Sequence, residues 1–156
     1  MTTNNRLFAA AALATAIAIP AEGFRQWAYK DIANPRLLTV CYGTTGNDVV
    51  AGRKYSLQEC RAFLDRDMLK AVQTVEQCHP GLPENVLAAF SDAVYNLGPS
   101  VACESTAARL LRSGKVIEAC DQLPRWNKAK VAGVYVELPG LTKRREAERR
   151  LCRGES

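Results

Sequence analysis

The sequence predicts an α+β fold, with a small antiparallel β-hairpin or sheet near the N-terminus followed by a lobe of several helices. Strand-forming residues cluster between positions 36 and 42, helical periodicity begins after a capping motif at Ser56, and Gly and Pro residues separate the later segments. The 156 residues suit a single domain. With 47% apolar and 24% charged residues, the composition excludes disordered and collagen-like chains.

The predicted sheet rests on one apolar run and the turn signals around it. Residues 36–42 read RLLTVCY, which is rich in strand formers, and Asn34-Pro35 before them indicates a turn. Gly43 and the Gly-Asn-Asp sequence at 46–48 follow the run. These signals predict a hairpin or a three-stranded antiparallel sheet, preceded by a short amphipathic segment at 22–29.

The helical lobe is predicted from caps and breaks. Ser56 and Glu59 form a capping box that opens a helix reaching about residue 77. Pro83 starts the next helix, which ends before Gly98. Shorter helices are predicted at about 105–113 and 116–123, and a charged one at 141–152. Internal repeats and linkers are absent from the sequence.

The N-terminal segment predicts an export signal. Residues 7–21 carry no charge and follow Arg6, but the run is short and built mostly of alanine. A helix needs about 20 apolar residues to span a bilayer, so this segment is a weak transmembrane candidate or the apolar part of a secretory signal. The alternative is a buried N-terminal helix. We divide the chain into a signal-anchor at residues 1–21, retained rather than cleaved, and a folded domain at residues 22–156.

Cysteine content and charge indicate the compartment and exclude some classes of partner. An even number of scattered cysteines without a C-x-x-C pair favours up to three disulfides in an oxidising compartment over a zinc site. We therefore expect no metal and no cofactor. The net charge of +5 favours polyanionic partners. The disulfide candidates are Cys41, Cys60, Cys78, Cys103, Cys120 and Cys152.

The acidic residues near the N-terminus are candidates for glycoside hydrolysis. Such hydrolysis uses two carboxyl groups, one protonating the leaving oxygen and the other handling water. Glu22 follows the apolar helix, where a low-dielectric environment would favour its protonated form. Asp31 and the hydroxyl of Thr39 lie further along. Spacing alone is weak evidence, because two acids nine residues apart are common and both could be surface charges.

A sequence resemblance strengthens this interpretation. The segments Glu22-Gly23-Phe24, Tyr29-Lys30-Asp31 and Thr39 to Gly46 resemble the active-site hairpin of phage-type lysozymes, the endolysins that cut host peptidoglycan. Tyr95 to Gly98, Ser105-Thr106, Trp126 and residues 139–152 resemble later signatures of that family. The leader resembles the signal-arrest-release segment of one endolysin subgroup. The resemblance spans residues 22–152 in order and implies a lysozyme-like fold.

The resemblance implies a function and roles for named residues. The reaction is hydrolysis of the β-1,4 bond between N-acetylmuramic acid and N-acetylglucosamine, which lyses the host cell. Glu22 would be the general acid, while Asp31 and Thr39 would handle the water. We expect substrate to be bound by Thr45, Tyr95, Asn96 and Arg144.

The same resemblance implies partners and a location. We expect a monomer acting on peptidoglycan glycan strands, with no nucleic-acid partner. It would be encoded by a phage or prophage, exported by the host machinery, tethered to the periplasmic side of the host inner membrane, and then released. Cys78–Cys103 and Cys120–Cys152 are the disulfides we expect, leaving Cys41–Cys60; the sequence alone leaves the pairing open.

Two departures from the family pattern affect the expected mechanism. The loop between Asp31 and Thr39 is longer than the commonest family form, and Thr44 stands where the family often has histidine. Residues 1–21 contain no cysteine. A disulfide exchange starting from the leader is therefore unavailable, and inactivity of a tethered form would have to come from geometry.

Two other functions stay open at this stage. A lytic transglycosylase would cut the same bond with one acid and no water, and it would be indifferent to Asp31. A non-catalytic wall-binding or membrane-anchored accessory protein would function without the Glu22 carboxyl.

Overall fold

The computed structural model describes residues 2–30, 37–46 and 48–155. Within these residues the chain forms two small antiparallel sheets and seven α-helices, which confirms the α+β class. The helices are α1 (Thr3–Ala21), α2 (Leu57–Cys78), α3 (Glu84–Leu97), α4 (Ser100–Cys103), α5 (Thr106–Arg112), α6 (Val116–Cys120) and α7 (Pro139–Cys152). The strands are β1 (Arg25–Lys30), β2 (Leu38–Cys41), β3 (Thr44–Thr45), β4 (Lys128–Val131) and β5 (Val134–Glu137).

The N-terminal sheet has the order β1-β2-β3, and both pairs are antiparallel. Thr39 lies at its centre, opposite Tyr29 on one side and Thr45 on the other. The turn into β3 needs left-handed backbone at Cys41, with φ 62°, and at Gly43, with φ 88°. The predicted small sheet is thus present, but its first strand, β1, falls in the segment at 22–29 that was expected to precede the sheet.

The second sheet, the β4–β5 hairpin, was not predicted from the sequence. Its turn is Ala132-Gly133, with φ values of 50° and 83°, and positive φ at both central residues is typical of a tight hairpin turn. The valine-rich residues on either side of this turn are the sequence pattern that could have predicted the hairpin. Only the N-terminal sheet was predicted, and no helix or strand was predicted between Leu123 and the last helix.

Helix α3 is the centre of the helical lobe. Its residues 86–94 are all buried, as expected for a helix surrounded by other elements. It packs against α1, α2 and α7. Ser56 caps α2 as predicted, because its hydroxyl accepts a hydrogen bond from the backbone N–H of Glu59 at 3.0 Å. The other half of the predicted capping box is replaced, because the Glu59 carboxylate accepts hydrogen bonds from Arg53.

Helix α1, formed by the apolar N-terminal segment, packs as part of this core. Ala10, Ala14 and Ala18 lie four residues apart on one face and have no exposed surface. At the start of the helix, Arg6 forms an ion pair with Glu76 and donates a hydrogen bond to the carbonyl oxygen of Leu82. Among the described residues, no helix is long and apolar enough to cross a membrane.

Three disulfides join elements that are not consecutive in the sequence. Cys41–Cys60 links β2 to α2, Cys78–Cys103 links α2 to α4, and Cys120–Cys152 links α6 to α7. This is the expected pairing, and all six cysteines are used. Each crosslink closes a loop of the unfolded chain and so lowers the entropy of the unfolded state.

Leucine at the buried face of α1 should destabilise the fold, whereas leucine at its exposed face should not. Ala10 and Ala14 have no free space, so A10L/A14L overpacks the core and should lower the free energy of unfolding by about 1–3 kcal/mol or more. Ala12 and Ala16 are exposed, so A12L/A16L should change it by about 0.5 kcal/mol or less. Urea unfolding of the purified variants measures both. Equal destabilisation by the two pairs would contradict the packing described here.

Candidate active site

Glu22 lies at the junction of the helical lobe and the sheet. It is the residue after α1, and its backbone N–H donates to the carbonyl oxygen of Ala18 at 2.9 Å. A side chain at position 43 would place its Cβ 3.6 Å from Glu22 Oε2, so the Gly43 turn lies directly against the carboxyl group. The end of a helix and a tight turn therefore fix this side chain from two directions.

The surroundings of Glu22 are polar rather than apolar. Its Oε1 accepts a hydrogen bond from Nη1 of Arg144 at 2.6 Å, and its side chain is 21% exposed. The sequence predicted a low-dielectric environment, because the residue follows an apolar helix. The structure instead provides a buried guanidinium, brought from the other end of the chain.

Glu22 opens onto a cleft of about 560 Å³ between the N-terminal sheet and the helices α2 and α3. Five of the predicted site residues line it: Glu22, Thr39, Thr45, Tyr95 and Asn96. The remaining described lining residues are Tyr29, Tyr42, Gly43, Asp67, Lys70, Ala71, Thr74 and Val94. Asp31, the predicted second carboxyl group, lies outside the described residues.

Thr39 has an unused hydroxyl group. The residue is 3% exposed, and its Oγ1 has no hydrogen-bond partner among the described residues. A buried hydroxyl without a partner is costly, so one next to a cleft is suited to bind a water or a substrate group. This atom is therefore free to take part in the chemistry of the site.

Tyr95 joins the helical lobe to the sheet. Its hydroxyl donates a hydrogen bond to the carbonyl oxygen of Tyr42 at 2.6 Å. Burial raises the pKa of Tyr95, and the negative charges of Glu22 and Asp67 add to the shift. The phenol consequently stays neutral and keeps its donor role across the whole working range of pH.

Asn96 and Thr45 complete the predicted substrate-binding surface. Asn96 lines the cleft, and its Oδ1 accepts a hydrogen bond from Nη2 of Arg145 at 2.8 Å. Thr45 lies on the opposite wall, on the exposed edge strand β3. The two side chains therefore reach the cleft from different lobes.

Arg144 is not on the cleft surface, where the sequence analysis had placed it. Its side chain is 3% exposed, and Nε and Nη2 donate to the two carboxylate oxygens of Asp92 at 2.9 and 2.8 Å. Burial alone would lower the pKa of Arg144, but the hydrogen bonds and charges of Asp92 and Glu22 outweigh it and raise the pKa. The group is thus a fixed cation behind Glu22.

A second buried ion pair lies behind the first. Arg145 and Glu148 have no exposed side-chain surface, and Arg145 Nη2 lies 2.8 Å from Glu148 Oε1. Burial raises the pKa of Glu148 well above its ordinary value, and the nearby Asp92 raises it further through hydrogen bonding and charge. Arg145 opposes that shift without cancelling it.

Asp92 is the main residue of the site that sequence reasoning missed. It lies in the apolar middle of α3 and is completely buried. An acid in such a position needs a charged partner elsewhere in the fold, because burial of an unpaired charge is very costly. This rule could have identified Asp92 from the sequence, and the charged partner of Asp92 in the structure is Arg144.

Comparison with known proteins identifies the family. The family model for phage lysozyme matches residues 20–148, which contain Glu22, the cleft and both buried arginines. The chain belongs to the phage lysozyme family.

Relatives within the phage lysozyme family place it among the endolysins. The SAR-endolysin of Bacteriophage PS119 is 38% identical over 132 residues, which cover 84% of this chain and 75% of that protein. The muramidase domain of SpmX from Asticaccaulis excentricus has a TM-score of 0.77 at 26% identity, covering 92% of this chain and 93% of that one. The lysozyme-like fold is confirmed, and the protein is a phage endolysin of the SAR subgroup that lyses peptidoglycan.

Two structures of one phage lysozyme differ in their similarity to this chain. The active form of the P1 phage endolysin Lyz has a TM-score of 0.75 at 25% identity and covers 90% of this chain and 82% of that one. The secreted inactive form has a TM-score of 0.51 at 28% identity and covers 69% and 74%. The arrangement described here is therefore more similar to the active form.

Two glutamates on α7 should affect stability with opposite dependence on pH. Because the folded state raises the pKa of Glu148, the stability it contributes is present below about pH 4.5 and is lost as the pH rises through the folded-state pKa. Glutamine does not ionise, so E148Q does not lose this stability. The difference between the melting temperature of E148Q and that of the parent should therefore increase with pH.

E146Q is the matched control on the same helix. A hydrogen bond from Arg149 lowers the pKa of Glu146, so the stability contributed by that carboxylate is present above about pH 4.5 and lost below it. Relative to the parent, E146Q should therefore lose stability as the pH rises. Melting temperatures between about pH 2.5 and pH 8 measure both variants. Parallel curves for E148Q and the parent would contradict the assignment for Glu148.

Proposed function

We propose that this endolysin is an N-acetylmuramidase, which hydrolyses the β-1,4 bond between N-acetylmuramic acid and N-acetylglucosamine, with Glu22 as the general acid. The observation that carries the proposal is the position of the Glu22 carboxyl group. It lies in a cleft between two lobes, held by the end of a helix, a glycine turn and a buried arginine. A polymeric glycan chain fits an open cleft of this kind better than an enclosed cavity.

The general acid acts by giving its proton to the leaving glycosidic oxygen. The proton leaves Glu22 as the bond between the anomeric carbon and that oxygen breaks, and the carboxylate that forms faces Arg144. The guanidinium thus stabilises the charge that develops on Glu22 in the transition state. In this proposal Arg144 positions the acid and does not contact the substrate.

The water molecule that attacks the sugar is bound and activated on the other side of the scissile bond from Glu22. Asp31 acts as the base that activates it, and the unpartnered Thr39 hydroxyl helps to hold it. Water attacks the anomeric carbon from the face opposite the leaving group, which gives inversion. Thr45, Tyr95 and Asn96 bind the sugars along the same cleft. Arg144, originally expected among them, acts through Glu22 instead.

The N-terminal segment has two roles in this proposal. It tethers the exported chain to the periplasmic side of the host inner membrane, and after release it folds back as α1. Support comes from the position of Glu22, which directly follows α1. While residues 1–21 stay in lipid, they do not pack against α2 and α3, so Glu22 is not held beside Arg144 and the cleft is incomplete. The enzyme works in the periplasm as a monomer, encoded by a phage or prophage.

E22Q tests the general acid. The glutamine is isosteric but cannot protonate the leaving group, so digestion of purified peptidoglycan should slow by about 10²-fold or more. E118Q makes the same change on an exposed helix and should keep the activity of the parent. Mass spectrometry of the products identifies the bond, because a muramidase leaves reducing muramic acid ends.

Other outcomes of that experiment identify the alternatives. Anhydro-muramic ends, together with full activity of D31N, would indicate a lytic transglycosylase. A folded parent that binds peptidoglycan without cleaving it would indicate an accessory binding protein. Full activity of E22Q would remove Glu22 from the mechanism.

Leucine at the exposed face of α1 tests the release of the tether. A12L/A16L raises the hydrophobicity of the segment at positions that do not contact the core, so it should hold the chain in lipid and prevent host lysis. The purified variant should still digest peptidoglycan. A12S/A16S changes the same positions without raising hydrophobicity and should still lyse. Normal lysis by A12L/A16L would contradict the tether.

A further inference from the structure

The buried groups behind Glu22 form two adjacent hydrogen-bonded sets, which we call the polar cluster. Arg144 bridges Glu22 and Asp92 with three hydrogen bonds of 2.6–2.9 Å. Arg145 joins Glu148 to Asn96 on the cleft wall, with both distances at 2.8 Å. The cluster connects α1, α3 and α7 and ends at the proposed catalytic acid.

The charges of the cluster balance only if one proton is shared among its acids. It contains two guanidinium groups and three carboxyl groups, of which Asp92 and Glu148 are fully buried. With all three carboxyl groups ionised, the cluster would carry a net negative charge, and two of those carboxyl groups, Asp92 and Glu148, have no contact with water. One bound proton makes it neutral.

The bare oxygen of Glu148 indicates where that proton resides. Glu148 Oε2 is buried and has no hydrogen-bond partner among the described residues, whereas Oε1 accepts a hydrogen bond from Arg145. The negative charge of Asp92 adds to the effect of burial and raises the pKa of Glu148 further. A proton on Oε2 would make Glu148 neutral and leave Asp92 as the anion facing Arg144.

We propose that Asp92 is a positioning residue for the reaction, which neutralises Arg144 so that Glu22 is able to carry the proton it must donate. An arginine with Glu22 as its only partner would hold that carboxyl in its ionised form, which is useless as an acid. Asp92 takes two of the three guanidinium hydrogen bonds, and the proton on Glu148 leaves Asp92 ionised, so Arg144 keeps a carboxylate partner when Glu22 takes up its own proton from the cleft. This inference rests on the proposed function.

The other charged groups near Glu22 come from every element around the cleft. Those described are Arg144 of α7, Asp92 and Tyr95 of α3, Asp67 and Lys70 of α2, and Tyr29 and Tyr42 of the sheet region. Of these, Arg144 is the group in direct contact with Glu22. Asp92 is the acid whose removal changes that contact while leaving the surface of the cleft as it is.

D92N is the test, with the pH dependence of kcat/KM for peptidoglycan digestion as its readout. Asparagine leaves Arg144 with Glu22 as its only carboxylate partner, so the alkaline limb of the profile should move to lower pH by about one unit. D65N makes the same charge change on the exposed face of α2 and should not move the limb. A D92N profile that is lower at every pH but not displaced would show a merely structural role and overturn the proposal.

Carbon-13 NMR of the glutamate carboxyl groups separates this inference from the proposed function. In D92N, the Glu22 signal, assigned with E22Q, should titrate at lower pH than in the parent, whether or not Glu22 is catalytic. An unchanged Glu22 titration would overturn the inference, whereas a shifted titration with full activity of E22Q would overturn only the proposed function.

A measurement on the parent covers the case in which D92N does not fold. The Glu148 signal should still be that of the protonated acid at pH values where exposed glutamates are ionised. A Glu148 that loses its proton together with the exposed glutamates would overturn the inference.

Discussion

The bridge that Arg144 makes between Asp92 and Glu22 is the interaction on which the rest of the site depends. A buried guanidinium needs carboxylate partners, and Arg144 receives them from α3 and from the end of α1. The three helices are thereby held in one arrangement around Glu22. The ordinary requirement that a buried charge be paired thus also places the proposed catalytic acid at the cleft.

The alanine-rich N-terminal segment satisfies two constraints with one composition. In the folded chain, Ala10, Ala14 and Ala18 are small enough to pack against α2 and α3 without leaving exposed surface. In the proposed tethered form, the same small side chains contribute little transfer energy, so the segment is held in lipid only weakly. Substitutions on the two faces of α1 separate these constraints, because only the buried face affects packing.

The two sides of the cleft differ in how their functional groups are held. Disulfides join β2 to α2 and α2 to α4, and they stabilise the walls against local unfolding. Thr39, in contrast, lies on the sheet side, and its hydroxyl has no hydrogen-bond partner among the described residues. The acid is therefore held by ion pairs in the helical lobe, while the water site is on the smaller lobe across the cleft.

The sequence by itself determined the features that depend on neighbouring residues. The helix cap at Ser56, the small sheet at residues 36–42 and the low hydrophobicity of the leader follow from local physical chemistry, and the order of motifs was enough for the family. The tertiary structure decided which charges meet. Arg144 is 52 positions from Asp92 and 122 from Glu22, and no local pattern links residues so far apart. It was therefore expected on the substrate surface, whereas the packing of α1, α3 and α7 buries it behind the acid.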